Sequence, residues 1–265
     1  MASRNSLKQT LRSGRATIGS WITLAHPAIA EIMATAGFEW LAVDLEHSVI
    51  SLREAEELIR VIELCGVTPL VRLSANDATQ IKRVMDAGAH GVIVPMVNSA
   101  EDARRAVAAV RYPASGRRGV GLARAQGYGT RFAEYVRWLK RESIVIVQIE
   151  HIEAVNNLEQ ILRTEGVDGF LVGPYDLSGS LGCPGDFQNK KFLAATKKIN
   201  RTAKKLKMCA GYHVVSSDSK LVAEKIKQGY NFISFGVDFL FLGDHSRNGL
   251  KNLRSTREGK KIEIQ

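Results

Sequence analysis

The sequence predicts an α/β protein: a (β/α)8 TIM-type barrel spanning residues 1–265 as a single domain, with a short N-terminal helix. Three observations carry this. Short apolar, β-branched runs alternate with helical patterns eight times along the chain. A length of 265 residues suits one such barrel. No linker-like stretch divides the sequence. A doubly wound open sheet is the runner-up, but no Gly-rich dinucleotide fingerprint follows the first strand.

Taken in order, a helix is expected over 6–13, lying across the bottom of the barrel. The first strand is read at 17–24, with a helix from Pro27 that closes at Gly37. The second strand covers 40–45, and its helix 51–64 opens on Ser51 with Glu54 three residues on, a capping box. Strand 68–73 leads to helix 78–87, ending at Gly88, and strand 91–97 leads to helix 100–110. A long excursion, 111–141, is rich in Gly and Arg. Strand 143–149 precedes a helix to about 162. Strand 168–172 is followed by a basic helix at 190–207, strand 208–214 by helix 217–228, and strand 232–237 by helix 239–253.

Composition narrows the function. With 45% hydrophobic residues the chain can bury a large core, and it has no apolar run of the roughly 18 residues that a membrane span needs. Residues 1–15 are basic but lack the apolar core of a signal peptide; they read as an amphipathic helix or a short transit peptide. Three scattered cysteines indicate neither a disulfide framework nor a zinc ribbon, so the expected compartment is a reducing cytoplasm. The net charge of +10 sits in residues 1–15, 190–207 and 247–261. The middle run interleaves Phe192, Leu193, Ile199 and Leu206, as an amphipathic helix with a solvated basic face does. With no zinc finger and no aromatic RNA-binding signature, no nucleic-acid partner is expected.

The chemistry is expected at the ends of two strands. Residues 145–150 (VIVQIE) and 169–176 (GFLVGPYD) are apolar runs that each finish in a carboxylate. Glu150 and Asp176 lie 26 residues apart, about one strand–helix–strand unit, so parallel neighbours hold them side by side at one end of the sheet. Two such carboxylates either share a proton or bind a hard divalent cation, and the metal site is the reading preferred here. The bland alternative is a salt-bridged pair at the rim. A barrel places its chemistry on the loops after the strands. His26, Asp44 with Glu46 and His47, Arg72, Pro95, His213 and Asp238 fall at the same phase of the repeat. Arg72 suits a substrate carboxylate, an oxyanion or a rim acid. His47 suits a general base, or is a satisfied rim residue. Arg117 or Arg118 in the Gly-rich loop could cradle anions or belong to a solvated turn. The tryptophans read as packing or interface residues. No predicted strand carries a lysine, so an imine mechanism is not expected, and carbonyl chemistry here needs a cation as electron sink.

The motifs WLAVDLEH (40–47), Val71-Arg72, Asp86-Ala-Gly88, VPMV (94–97), RYPASGRRGVG (111–121), VQIE (147–150) and EGVDGFLVGPYDLS (165–178) resemble the metal-dependent (class II) pyruvate aldolases. That family includes the 4-hydroxy-2-oxoheptanedioate and 2-dehydro-3-deoxyglucarate aldolases, and the likeness runs from about Trp21 to Asp238. The resemblance implies reversible aldol cleavage of a 4-hydroxy-2-oxo acid to pyruvate and an aldehyde. It implies Glu150 and Asp176 as ligands of Mg2+, Mn2+ or Co2+, and substrate contacts from Gln148, Asp176, Asp44 and the backbone around Tyr175. Arg72 would stabilise the transition state, and His47 would act as base with its basicity raised by Asp86. A homo-oligomer, commonly a hexamer, is implied as well. Tyr175 stands where a small residue is usual, and His151 where a small hydroxyl residue is frequent; both bear on the aldehyde accepted. Two rivals stay open: another carbon–carbon lyase or condensing enzyme using the same enolate site, and a non-catalytic ligand-binding barrel whose basic tail meets an acidic partner.

Overall fold

The computed structural model describes residues 6–259. Its eight strands, β1 (Thr17–Ile22), β2 (Trp40–Asp44), β3 (Thr68–Arg72), β4 (Gly91–Val94), β5 (Ile144–Ile149), β6 (Gly169–Val172), β7 (Cys209–Val214) and β8 (Phe232–Phe235), are all parallel and close into a barrel in sequence order. β1 closes on β8 through Thr17–Phe232 to Gly19–Ser234 pairing. The strands are almost wholly buried because helices cover the outside while side chains fill the inside.

Two apolar clusters divide the interior. The larger lies between sheet and helices and includes Leu58, Ile59, Ile81, Val107, Ile161 and Ile199. The smaller fills the barrel itself with Trp21, Trp40, Leu70, Ile93, Ile146, Leu171 and Phe232, Trp40 stacking on Phe232 at 4.3 Å. Gly19 is dictated by that layer, since a Cβ there would stand 2.0 Å from the Trp40 ring. The N-terminal helix Leu7–Ser13 opens on a capping box at Ser6 and inserts Leu7 and Leu11 into the bottom of this cluster. Its Lys8 is buried there and pairs with Asp168 at 3.0 Å. That placement makes the helix part of the fold; Met1–Asn5, the start of the basic run, lies outside the described residues.

The expected helices appear close to their predicted bounds. Ser51 and Glu54 form the predicted capping box of Leu52–Leu64. The excursion differs: it contains a helix, Phe132–Glu142, after a 3-10 turn at Arg124–Gln126. Tyr135 and Leu139 are its buried positions. A short helix, Pro174–Ser180, also follows β6. The basic helix Lys190–Leu206 buries Phe192, Ala195, Ile199 and Ala203 and leaves its lysines outward, as expected of a solvated face, although Leu193 is exposed. The last helix, Asp238–Gly259, carries most of the basic tail; Lys260 and Lys261 lie outside the described residues. Among the described residues no helix is long and apolar enough to cross a membrane.

Candidate active site

Register brings the strand-end residues level. Ile149 pairs with Val172, so Glu150 and Gly173 are the next residues out on neighbouring strands, and Asp44 is the direct Cα partner of Arg72. A cavity of about 370 Å3 opens there, lined by Trp21, Thr23, Asp44, His47, Arg72, Gln148, Gly173, Tyr175, Asp176, His213, Val237 and Phe239, among others. Larger cavities of about 660 and 410 Å3 lie among the outer helices, around Lys82 and Arg117 and around His90 and Trp138, away from the strand ends.

Glu150 is buried and held on both oxygens. Its Oε1 accepts the Met96 N–H at 2.6 Å, and its Oε2 accepts from the Gln148 side-chain amide. Burial, reinforced by the Asp176 charge, raises its pKa in spite of those bonds and of Arg72. A Cβ built on Gly173 would come 2.9 Å from Glu150 Oε2 and 3.7 Å from Asp176 Oδ2. The two carboxylates therefore face one small space that a side chain at this position would fill. Glu46 adds a third negative group nearby. Burial lifts its pKa to about 7, Glu150, Asp44 and Asp176 add to the rise, and Arg72 opposes it.

Such a cluster calls for a positive charge, and the donor set of buried carboxylate oxygens with a glycine-walled gap between them fits a hard divalent cation. Among the described residues no group of three or more His, Cys, Asp or Glu side chains is arranged to hold a metal, and Glu150 and Asp176 are the carboxylates that face the gap at Gly173.

Arg72 takes the rim-acid alternative. Its Nε and Nη2 donate to Asp44 at 2.8 and 2.6 Å, its Nη1 lies 3.3 Å from Glu46, and its guanidinium sits 4.3 Å above the Trp21 ring. Asp44, expected as a substrate contact, is instead occupied by Arg72 and by the N–H groups of Glu46 and His47. These bonds hold its carboxyl below the usual range against the effect of burial. Its buried acceptors are satisfied within the protein, and in this arrangement Asp44 fixes Arg72 at the cavity wall. His47 lines the cavity with its imidazole well exposed, 3.9 Å from Glu46.

Asp86 is not brought to His47 within the described chain. It is the last residue of helix Ala78–Asp86, which runs back from the strand ends towards the start of β4 and so carries Asp86 away from His47 within one chain. Its carboxylate accepts from Arg118 Nη2 at 2.5 Å instead. Arg118 has no exposed side-chain surface, bonds Tyr135 Oη at 3.1 Å and lies between the Tyr112 and Tyr135 rings; it is no anion cradle.

Other rim residues are structural. His26 and His151 cap the helices that follow them, and Asp238 accepts the Thr23 and Leu24 N–H groups, tying β1 to β8. Three contributors escaped the sequence reading. Met96 was hidden because only its backbone acts, at a left-handed φ of 51°. Gly173 carried a signal in its Gly-Pro step. Trp21, assigned to packing, floors the site.

A model of the HpcH/HpaI aldolase/citrate lyase family matches residues 17–242. The chain is 39% identical over 236 residues to a hydroxypyruvate/pyruvate aldolase of Sagittula stellata, covering 89% of this chain and 92% of that protein. It is 38% identical over 241 residues to a 4-hydroxy-2-oxo-heptane-1,7-dioate aldolase of Salmonella paratyphi C, covering 90% of each. A crystal structure of an HpcH/HpaI aldolase/citrate lyase family protein from Burkholderia cenocepacia superposes with a TM-score of 0.90 at 32% identity, covering 95% of this chain and all of that one. A barrel with its carboxylates, arginine and histidine at the strand ends, matched along nearly its whole length, places this chain in the HpcH/HpaI aldolase/citrate lyase family.

Proposed function

We propose that the protein is a carbon–carbon lyase that reversibly cleaves a 4-hydroxy-2-oxo acid to pyruvate and an aldehyde with the help of a divalent cation. The observation that carries this is the convergence of Glu150 and Asp176 on the gap beside Gly173, in one cavity with Arg72 and His47. A cation held by these two carboxylates supplies the positive charge that stabilises a pyruvate enolate; Mg2+, Mn2+ and Co2+ all suit oxygen donors.

The chain's own residues do the rest. Met96 N–H and the Gln148 amide fix Glu150, and Gln148, on the cavity wall with a buried Oε1 that has no partner, is placed to meet substrate. His47 takes the proton from the C4 hydroxyl. The C4–O bond becomes a carbonyl, the C3–C4 bond breaks, and its electron pair runs through C3–C2 to the keto oxygen. Arg72, held in place by Asp44 and Glu46, stabilises that oxyanion, and a proton delivered to C3 yields pyruvate. None of the eight strands carries a lysine, which agrees with an enolate rather than an imine.

A homo-oligomer, with a hexamer expected, is the assembly we propose; Phe239, Leu242, Leu250 and Leu253, apolar yet exposed on the last helix, support it. The direct test follows a 4-hydroxy-2-oxo acid by product mass with and without Mn2+. Stoichiometric pyruvate and aldehyde in the presence of the metal are expected; an acid retained unchanged would leave only a binding protein.

A further inference from the structure

One wall of the cavity plays no part in that chemistry. It is built from the strand ends of β7, β8 and β1 and carries His213, Val215, Val237, Phe239 and Trp21, with Tyr175 beside it. His213 lies against Trp21 with ring centroids 5.3 Å apart. One ring nitrogen bonds the Gly236 backbone; because the Gly236 N–H is already donated to Val214, the ring must be the donor there. The other, Nε2, is buried and has no hydrogen-bond partner. Burial and the nearby Arg72 charge push the His213 pKa down to about 3, so the ring is neutral. A neutral imidazole that donates through one nitrogen can only accept through the other. Nε2 is therefore a buried, orphaned acceptor on a side chain that lines the cavity, and it suits an O–H donor and opposes a carboxylate.

The charges point the same way. Among the described residues Arg72 is the one lysine or arginine lining the cavity, and all three of its nitrogens are engaged by Asp44 and Glu46. Among the described residues of this chain, no lysine or arginine other than Arg72, which the enolate oxygen takes, lines the cavity to meet a second substrate carboxylate. Val215, Val237 and Phe239 add apolar surface, and Tyr175, half exposed, stands edge-on to Phe187 at 5.1 Å, its hydroxyl without a hydrogen-bond partner among the described residues.

We propose that this wall selects an uncharged hydroxyaldehyde as the acceptor, its hydroxyl donating to His213 Nε2 while Tyr175 covers it. The inference rests on the aldol reading above and names the substrate class of that same site. In the condensing direction C3 of the pyruvate enolate bonds the aldehyde carbon, the carbonyl electron pair moves to oxygen, and that oxygen takes the proton.

The test compares three aldehydes with pyruvate and Mn2+, using the intact wild-type protein: glycolaldehyde, propanal of equal size without the hydroxyl, and succinate semialdehyde with a distal carboxylate. Glycolaldehyde should exceed both in kcat/KM by about tenfold or more, since a site built to bond a hydroxyl rejects the analogue that lacks it. In His213→Phe the ratio of glycolaldehyde to propanal should collapse towards unity; because a ratio is read, a general loss of activity does not mimic the effect. Tyr175→Phe should lower the same ratio through the KM for glycolaldehyde. Equal use of propanal, preference for succinate semialdehyde, or an unchanged ratio in His213→Phe would overturn the proposal. Oxaloacetate decarboxylation, which needs the enolate but no aldehyde, separates the two readings. If it proceeds while the ratios fail, only the acceptor assignment falls; if it is absent, both fall.

Discussion

The carboxylates of Glu150 and Asp176 meet across the space that a side chain at residue 173 would occupy, Oε2 of one 2.9 Å and Oδ2 of the other 3.7 Å from a Cβ built there. Gly173 itself has φ −90° and ψ 98°, a backbone open to any residue, so the glycine is required for room and not for conformation. Gly173→Ala should therefore fold normally yet displace the Glu150 carboxylate. Mn2+ binding read by calorimetry should weaken by about tenfold or more, in line with a disturbed ligand shell, with little change in melting temperature. Unaltered Mn2+ affinity would show that this gap is not the metal site.

Arg72 and Asp44 form a two-pronged pair that a lysine cannot reproduce. Arg72→Lys keeps the charge and loses the fork. A fall in kcat of about 10²-fold is expected, the scale of losing one electrostatic stabiliser. Asp44→Asn should act in the same direction through Arg72, lowering kcat more than it raises KM for pyruvate. A pure KM effect would return Asp44 to the role of substrate contact.

Burial and three neighbouring carboxylates hold the Glu46 pKa near 7 in the metal-free fold, above its ordinary value of 4.5. The protonated form is the one the fold favours. Stability is therefore fully present below about pH 4.5 and lost as the pH rises through 7. Glu46→Gln should be more stable than the parent at pH 8 in EDTA, by at most about 3 kcal/mol, and the difference should vanish near pH 4. Thermal melts across that range decide it. A parent that gains stability relative to Glu46→Gln between pH 5 and 8 would contradict the assignment.

Asp86 is a stability residue within the chain. Its partner Arg118 is wholly buried, so Asp86→Asn leaves a buried guanidinium short of its counter-charge. A loss of about 3 kcal/mol in denaturant unfolding is expected, against about 1 kcal/mol for Tyr135→Phe, which removes one hydrogen-bond partner of the same group. Equal, negligible effects would mean that the pair contributes nothing.

The barrel was legible because the strands are short apolar runs that alternate with helical patterns, one of which opens on a readable capping box at Ser51. The candidate site was legible where a charged side chain ends a strand or follows it directly, as Arg72 and Glu150 do, while Asp176 lies in the short helix after β6. What stayed hidden depends on three-dimensional placement. Met96 contributes only an N–H, and Gly173 contributes empty space. Asp44 and Arg72 announced themselves separately, but their register as direct partners, which makes one the orienting group of the other, is fixed by strand pairing. The pairing of Asp86 with Arg118 was not legible, because spacing cannot show where the helix Ala78–Asp86 carries its last residue. The helix Phe132–Glu142 was masked by the Gly- and Arg-rich stretch before it, although its apolar face packs through Tyr135 and Leu139.

The most direct measurement of the central claim is oxaloacetate decarboxylation by wild type and Glu150→Gln, each assayed in Mn2+ and in EDTA, with circular dichroism confirming the fold. Wild type should release pyruvate only with the metal, and Glu150→Gln should lose about 10²-fold or more in rate while staying folded. A folded Glu150→Gln protein that turns over at the wild-type rate, indifferent to Mn2+, would contradict the account.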